Sequence, residues 1–184
     1  MTARGRFTVA LEVEIRPCAA DDLPGLEWYG LYTLHRPLIE EAFRRQRRGE
    51  VLMLLAVANR FPVGQAWIDF AARPDEPGVA VLWAVRVYPF LQGCGIGARL
   101  LRAAERAVRE RGCAAAEVGV EKDNPRARRL YERLGYHAHG ERVEEFGYDD
   151  WNGTPVRVRV DQWMLRKPVA AAAPVVRVQR AAAR

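Results

Sequence analysis

Hydrophobic and polar positions along this chain alternate in two periods, and the switches between them outline an α/β domain. "FTVALEVEIRP" alternates and ends at Pro17, which predicts a strand. "AADDLPGLEWYGLYTLHR" opens on Asp21 and Asp22, which suit a helix cap, and places Pro24 in a first turn, so a helix is expected there. "PLIEEAFRRQRRGE" predicts a short amphipathic helix with Leu38, Ala42 and Phe43 on one face and Gly49 as its stop. "VLMLLAVA" is apolar throughout, as in a strand buried on both faces. "FPVGQAWIDFA" follows as its hairpin partner, through a turn at Asn59 and Arg60. The cluster "RPDEPG" then precedes a long strand, "VAVLWAVRVY", closed by Pro89.

From Gly97 the period becomes helical. Leu100, Ala104 and Val108 recur four residues apart, with Leu101 alongside. Arg99, Arg102, Arg106 and Arg109 take the outer face, Glu105 is set to pair with Arg109, and Gly112 ends the helix. "AAEVGVEK" reads as a strand. "DNPRARRLYERLGY" reads as a helix with Asn124 as N-cap, Pro125 as first helical residue and Gly135 just past the end. Two antiparallel strands, joined around Asn152-Gly153, complete the domain. A flexible N-terminus over residues 1–8, one domain over 9–167 and a disordered Ala/Pro/Arg tail over 168–184 are expected.

Composition narrows the class. The 184 residues are 49% hydrophobic and 28% charged, ordinary for one globular domain. The net charge of +6 suits an anionic cofactor, nucleic acid or a membrane surface, but several of the arginines lie in the expected tails. The outer arginines alternate with acids and no nucleic-acid recognition motif accompanies them, so no nucleic-acid partner is expected. No apolar stretch is long enough to span a bilayer and none fits a signal segment. The cysteines, Cys18, Cys94 and Cys113, form no C-x-x-C pair. Neither a metal site nor a disulfide framework is expected, and a reducing cytoplasm fits best.

The chemistry concentrates in "YPFLQGCGIGARLL". Gly93, Gly95 and Gly97 lead directly into a helix. A helix N-terminus offers unpaired N–H groups and partial positive charge, and glycines let a phosphate approach closely. Gly93 to Ala98 formally fit the dinucleotide fingerprint G-x-G-x-x-[GA]. Four residues, Pro89 to Gln92, separate the loop from its strand, however, and three strands precede it, where a dinucleotide domain opens on its loop. A dinucleotide-binding protein remains the alternative enzyme-class reading. The G-x-x-x-x-G-K-[ST] phosphate loop is missing.

"VRVYPFLQGCGIGARLL", with Gln92, Gly95 and Gly97 in the pattern Q/R-x-x-G-x-G/A, resembles the signature loop of the GNAT superfamily of acyl-CoA-dependent N-acetyltransferases. "NPRARRLYERLGY" resembles that family's next helix at the expected distance, and the likeness spans roughly residues 9–167. It implies a mixed, mostly antiparallel central sheet flanked by helices, with acetyl-CoA as cosubstrate and a primary amine as acceptor. The backbone of Gly93, Cys94, Gly95, Ile96, Gly97 and Ala98, with Gln92, would bind the pyrophosphate. Val85, Arg86 and Val87 would hold the pantetheine arm as an added strand. Asn124 would contact the cofactor as well as cap its helix. Tyr131 would protonate the leaving thiol, although Ala127, Leu130 and Leu134 on its helix face would equally suit a core aromatic.

A proton acceptor for the amine is sought among carboxylates. Glu117 and Glu121 share one face of their strand, with Gly119 between them; Glu121 is the first choice and Asp69 the second. Family members that acylate ribosomal-protein N-termini carry a glutamate at the position of Gly119, so this chain departs from them. The acids of segment 141–150 suggest a cationic acceptor, of a small molecule or a peptide. The resemblance also implies a homodimer, since such proteins often dimerise. A non-catalytic acyl-CoA sensor is the non-enzyme alternative.

Overall fold

The computed structural model describes residues 10–149 and 152–169. The expected flexible N-terminus and nearly all of the expected tail lie outside the described residues. The folded chain runs slightly past the expected boundary at Lys167: Val169 is buried, and its N–H donates to the Ala114 carbonyl at 2.8 Å.

One seven-stranded sheet organises the molecule. Its strands are β1 (Glu14–Pro17), β2 (Val51–Ala58), β3 (Phe61–Asp69), β4 (Val79–Val87), β5 (Ala115–Glu121), β6 (His137–Asp149) and β7 (Pro155–Pro168). They lie in the order β1-β2-β3-β4-β5-β7-β6. Every neighbouring pair is antiparallel except β4 and β5. The helices are α1 (Arg36–Arg47), α2 (Ile96–Glu110) and α3 (Pro125–Arg133). This is the mixed, mostly antiparallel sheet with flanking helices expected from the sequence.

The sheet separates two cores. On one face Leu100, Leu101, Ala104 and Val108 of α2 pack with Ala66, Ile68, Leu82 and Val118. On the other, Ile39 and Ala42 of α1 pack with Met53, Leu55 and Trp67. Both faces of β2 are therefore covered, which is why it reads as an unbroken apolar run. Asn59 and Arg60 turn the β2–β3 hairpin with φ of 49° and 63°, the left-handed pair of a tight hairpin.

Several local expectations change. The first strand begins to pair only at Glu14, opposite Val57 of β2. One residue further, β2 ends at Ala58 and enters its turn, so the earlier residues have no partner strand. The helix expected after Ala19 is replaced by two 3-10 segments, Ala20–Glu27 and Thr33–His35. Pro24 lacks a donor, and Trp28 and Tyr29 turn left-handed at φ 45° and 56°, which breaks an α-helix. Asp22 does not stand at the N-cap. Its Oδ2 accepts the Ala19 N–H at 2.7 Å, and Arg16 grips both oxygens at 2.6 and 2.8 Å. On α1 the buried positions are Ile39 and Ala42, whereas Leu38 is exposed. Glu105 pairs with Lys167 of β7 at 2.7 Å rather than with Arg109, because the end of β7 passes beside α2.

α3 follows its sequence punctuation. Asn124 Oδ1 accepts the Ala127 N–H at 3.0 Å, and Gly135 takes φ 89° past the last turn. β6 and β7 pair out to Asp149 and Pro155, with Asn152 and Gly153 in the connection.

Candidate active site

The parallel pairing of β4 with β5 covers only Val79 to Leu82 against Ala115 to Val118. Beyond it Arg86 and Val87 stay with β3, and Gly119, Val120 and Glu121 stay with β7. The sheet splits there, leaving an open strand edge on each side. A bulge in β4 accompanies the split: Gln65 faces Arg86 and Trp67 faces Trp83, so two steps along β3 match three along β4. The extra residue is absorbed at Ala84, whose φ is 49°. A bulge of this kind re-aims a strand and is frequent beside active sites.

The glycine loop lies at the open end of β4. Gly93 and Gly95 adopt φ of 87° and 83°, which L side chains rarely take. Nothing lies within 4 Å of the place a Cβ would occupy on Gly95. The first main-chain bond of α2 runs from the Arg99 N–H to the Gly95 carbonyl at 3.2 Å. The N–H groups of Ile96, Gly97 and Ala98 precede it and are the orphan donors of the helix start. An open turn, without a Cβ at Gly93 and Gly95, leading into such donors fits a pyrophosphate. Cys94 is exposed and carries no activating partner among the described residues, which suits a contribution through its backbone.

Two side chains brace the loop. Gln92 Nε2 donates to the Val87 carbonyl at 3.1 Å, and its Oε1 accepts from Arg126 Nη1 at 3.0 Å. Gln92 thus ties the end of β4 to the start of α3. Arg126 Nη2 lies 3.6 Å from the Cβ position of Gly93. Sequence reading overlooked Arg126; its signal was a basic residue directly behind the Asn124-Pro125 helix start.

Tyr131 is buried on α3, packed edge-on to Tyr136 with ring centroids 5.7 Å apart. Burial raises its phenol well above the usual tyrosine value, so it remains protonated at neutral pH. Val85 and Val87 pack toward the α2 core, while Arg86 between them points to the α1 face.

The three candidate carboxylates separate. Glu121 is exposed at the open end of β5, and its carbonyl accepts the Asn124 N–H at 3.0 Å. Glu117 and Asp69 both lie opposite Val81, at the closed end of the sheet. Glu117 is fully buried in an ion cluster. Arg73 reaches it at 2.8 Å, Arg166 at 2.6 Å and His139 Nε2 at 2.8 Å. Burial opposes its charge, but hydrogen bonds from Arg166 and Arg73 outweigh that and hold the carboxyl below its usual range. Arg45 clamps Asp69 at 2.7 and 3.0 Å, and the Ala71 N–H adds a third bond. Both are structural anions, and neither shares the mouth of the split. At Gly119 a Cβ would come within 2.5 Å of Gln162 Oε1, so the β7 amide fills the place a larger residue would need.

Trp28, Tyr32 and Tyr88 form an edge-to-face chain, each adjacent pair 5.4 Å apart, and Tyr88 packs against the α2-side core. Two acids of the β6 run have cationic partners, while Asp150 lies outside the described residues. Glu141 pairs with Lys122, and Arg159 of β7 lies 3.6 Å from both Glu145 and Asp161.

Comparison with known proteins agrees with this geometry. The acetyltransferase (GNAT) family model matches residues 19–136. Over 62 residues the chain is 39% identical to mycothiol acetyltransferase of Rhodococcus opacus (strain B4), covering 34% of this chain and 20% of that protein. The chain thus spans about a fifth of that relative's length. A PaiA N-acetyltransferase from Thermoplasma acidophilum in complex with coenzyme A superposes with a TM-score of 0.61 at 19% identity, covering 85% of this chain and 99% of that one. An acetyltransferase from Salmonella typhimurium, solved with acetyl-CoA, gives 0.67 at 18% identity, covering 88% and 96%.

Proposed function

The chain belongs to the GNAT acetyltransferase family, with acetyl-CoA as its cosubstrate, and we propose that it moves the acetyl group directly to a primary amine of a small molecule or peptide. The observation that carries this reading is the split between β4 and β5, opening beside a glycine-rich loop at the start of α2.

Acetyl-CoA supplies an acyl group already activated as a thioester. The chain's own residues do the rest. Main-chain N–H groups from Gly93 to Ala98 bind the pyrophosphate, and Arg126 adds a cation beside them. The open edge at Val85, Arg86 and Val87 holds the extended arm through main-chain hydrogen bonds, as an added strand would. One N–H of that edge polarises the acetyl carbonyl. Tyr131 keeps its proton until the C–S bond breaks and donates it to the departing thiolate, which leaves as the thiol. Asn124 holds the start of α3 so that Tyr131 and Arg126 face the cofactor. Glu121, the one candidate carboxylate at the open end, takes the proton from the amine, directly or through water.

A cationic acceptor was expected from the acids of β6. Lys122 and Arg159 offset two of them, Glu141 and Glu145, so a primary amine is all that this reading requires of the acceptor. Calorimetry with acetyl-CoA and NAD, followed by thiol release over an amine panel, tests the reading. Micromolar acetyl-CoA binding with amine-dependent thiol release is expected. Tight NAD binding without acetyl-CoA binding would overturn it, and acetyl-CoA binding with no turnover would point to a sensor.

A further inference from the structure

Beside the split, among the described residues, stand a cation that no carboxylate meets and an indole N–H without a partner. Arg86 is half-buried there, its guanidinium carbon 4.1 Å from the centroid of the Tyr32 ring. Among the described residues no carboxylate reaches it within ion-pair distance, whereas the part-buried arginines Arg16, Arg45, Arg73 and Arg166 each hold a carboxylate. Tyr32 packs edge-on to Trp28, whose indole N–H is buried without a partner among the described residues. The His35 ring lies tilted against Tyr32 with centroids 5.7 Å apart, and burial, with Arg86 nearby, lowers its pKa and keeps it neutral. A half-buried cation whose partner among the described residues is the Tyr32 side chain, with no carboxylate, is costly, and a buried indole N–H is ordinarily satisfied.

Position adds to chemistry. Arg86 lies on the strand edge that borders the split, and its side chain points away from the α2 face, where the glycine loop sits. Direct transfer brings two substrates to one carbonyl. With the cofactor's phosphates held on the α2 side, the acceptor has the α1 side to enter by. It would meet Arg86 next to the aromatic chain of Tyr32, Trp28 and Tyr88.

We propose that Arg86 is a specificity residue that binds a carboxylate on the acceptor, so that the preferred acceptor is a small amine carrying its own anionic group, as an amino acid does. This rests on the acetyltransferase reading above. The guanidinium offers a planar fork that matches a carboxylate with two parallel hydrogen bonds, and Tyr32 holds that fork in place.

The test uses free amino acids against their C-terminal amides, which keep the amine and remove the anion, with each rate expressed per free-base amine because amidation also lowers the amine's pKa. In the wild type, kcat/KM from thiol release is expected to favour the acids by about tenfold or more, the scale of a charged hydrogen bond. In Arg86→Met that ratio collapses toward one, and Arg86→Lys retains part of it. Equal or higher kcat/KM for the amides in the wild type would overturn the proposal, as would a ratio that Arg86→Met leaves intact. The wild-type comparison needs no variant, so it stands even where Arg86→Met misfolds. If no amine turns over while acetyl-CoA binds, the transfer reading fails by itself. Tryptophan fluorescence titrations with the same acids and their N-acetyl derivatives then decide the Arg86 site. Saturable binding of the acids or their derivatives in the wild type, lost in Arg86→Met, supports it, and absence of saturable binding overturns it.

Discussion

Leu82 of β4 faces Val118 of β5, and no residue beyond either one pairs across to the other strand. That last parallel pair marks where the sheet stops being a closed surface and becomes a cleft. The bulge at Ala84 falls two residues later on the same strand and turns the β4 edge outward. Open edges in a sheet attract another strand; here the proposed occupant is the extended arm of acetyl-CoA.

Gly95→Val is expected to weaken acetyl-CoA binding at least tenfold in calorimetry. Gly95 has φ 83° and open space around its Cβ position, so the cost is backbone strain rather than a clash. That strain is about 1–2 kcal/mol, a few degrees in Tm. An unchanged affinity in a folded variant would show that the loop is not the phosphate cradle.

Tyr131→Phe should lower kcat by about a hundredfold, the lower range for loss of a positioned acid, while acetyl-CoA affinity stays within about threefold. The ring and its edge-on contact with Tyr136 are retained, so Tm should barely move. Turnover equal to the wild type would reduce Tyr131 to a core aromatic.

Glu121→Gln and Glu117→Gln should separate catalysis from stability. The first removes an exposed carboxylate at the open end, and kcat should fall with Tm unchanged. The second leaves Arg73 and Arg166 without their buried partner, at a cost of about 3 kcal/mol. Thermal melts and initial rates on both variants check this; a rate loss confined to Glu117→Gln, with stability kept, would reverse the assignment.

Acid should destabilise the fold through the same anions. Glu117 is held below its usual range as described, and Asp22 likewise, first by its hydrogen bond from Arg16. A depressed carboxyl binds its proton less readily folded than unfolded. Its stabilisation is therefore complete above the unfolded value of about 4 and is lost as pH falls through the lower folded value. Urea midpoints should be flat from pH 7 to about 5 and decline below about 4, more shallowly in Glu117→Gln. A midpoint that rises on acidification would contradict the cluster.

The local punctuation of the chain was readable in advance because its causes are local. Asn124, Pro125 and Gly135 bound α3 through a cap, a fixed φ and a left-handed residue, each decided within one turn. The glycines of the loop were legible for the same reason, as left-handed positions at a helix start. The segment after Ala19 misled, since Asp21, Asp22 and Pro24 also suit a 3-10 turn. Asp22 is claimed there by Arg16, six residues back on β1.

The sequence by itself determined the order of elements outside the segment after Ala19, the glycine loop and the capped helix behind it, since short-range sterics and hydrogen bonding settle each. Only the tertiary structure decided which carboxylates are free. Glu117 and Glu121 share a strand face, yet Glu117 is taken by Arg73 and Arg166, which lie 44 and 49 residues away in sequence. Arg86 over Tyr32 and the split past Leu82 have the same character. Each depends on which strands become neighbours and where their pairing ends, and burial then sets the charge balance that no spacing along the chain records.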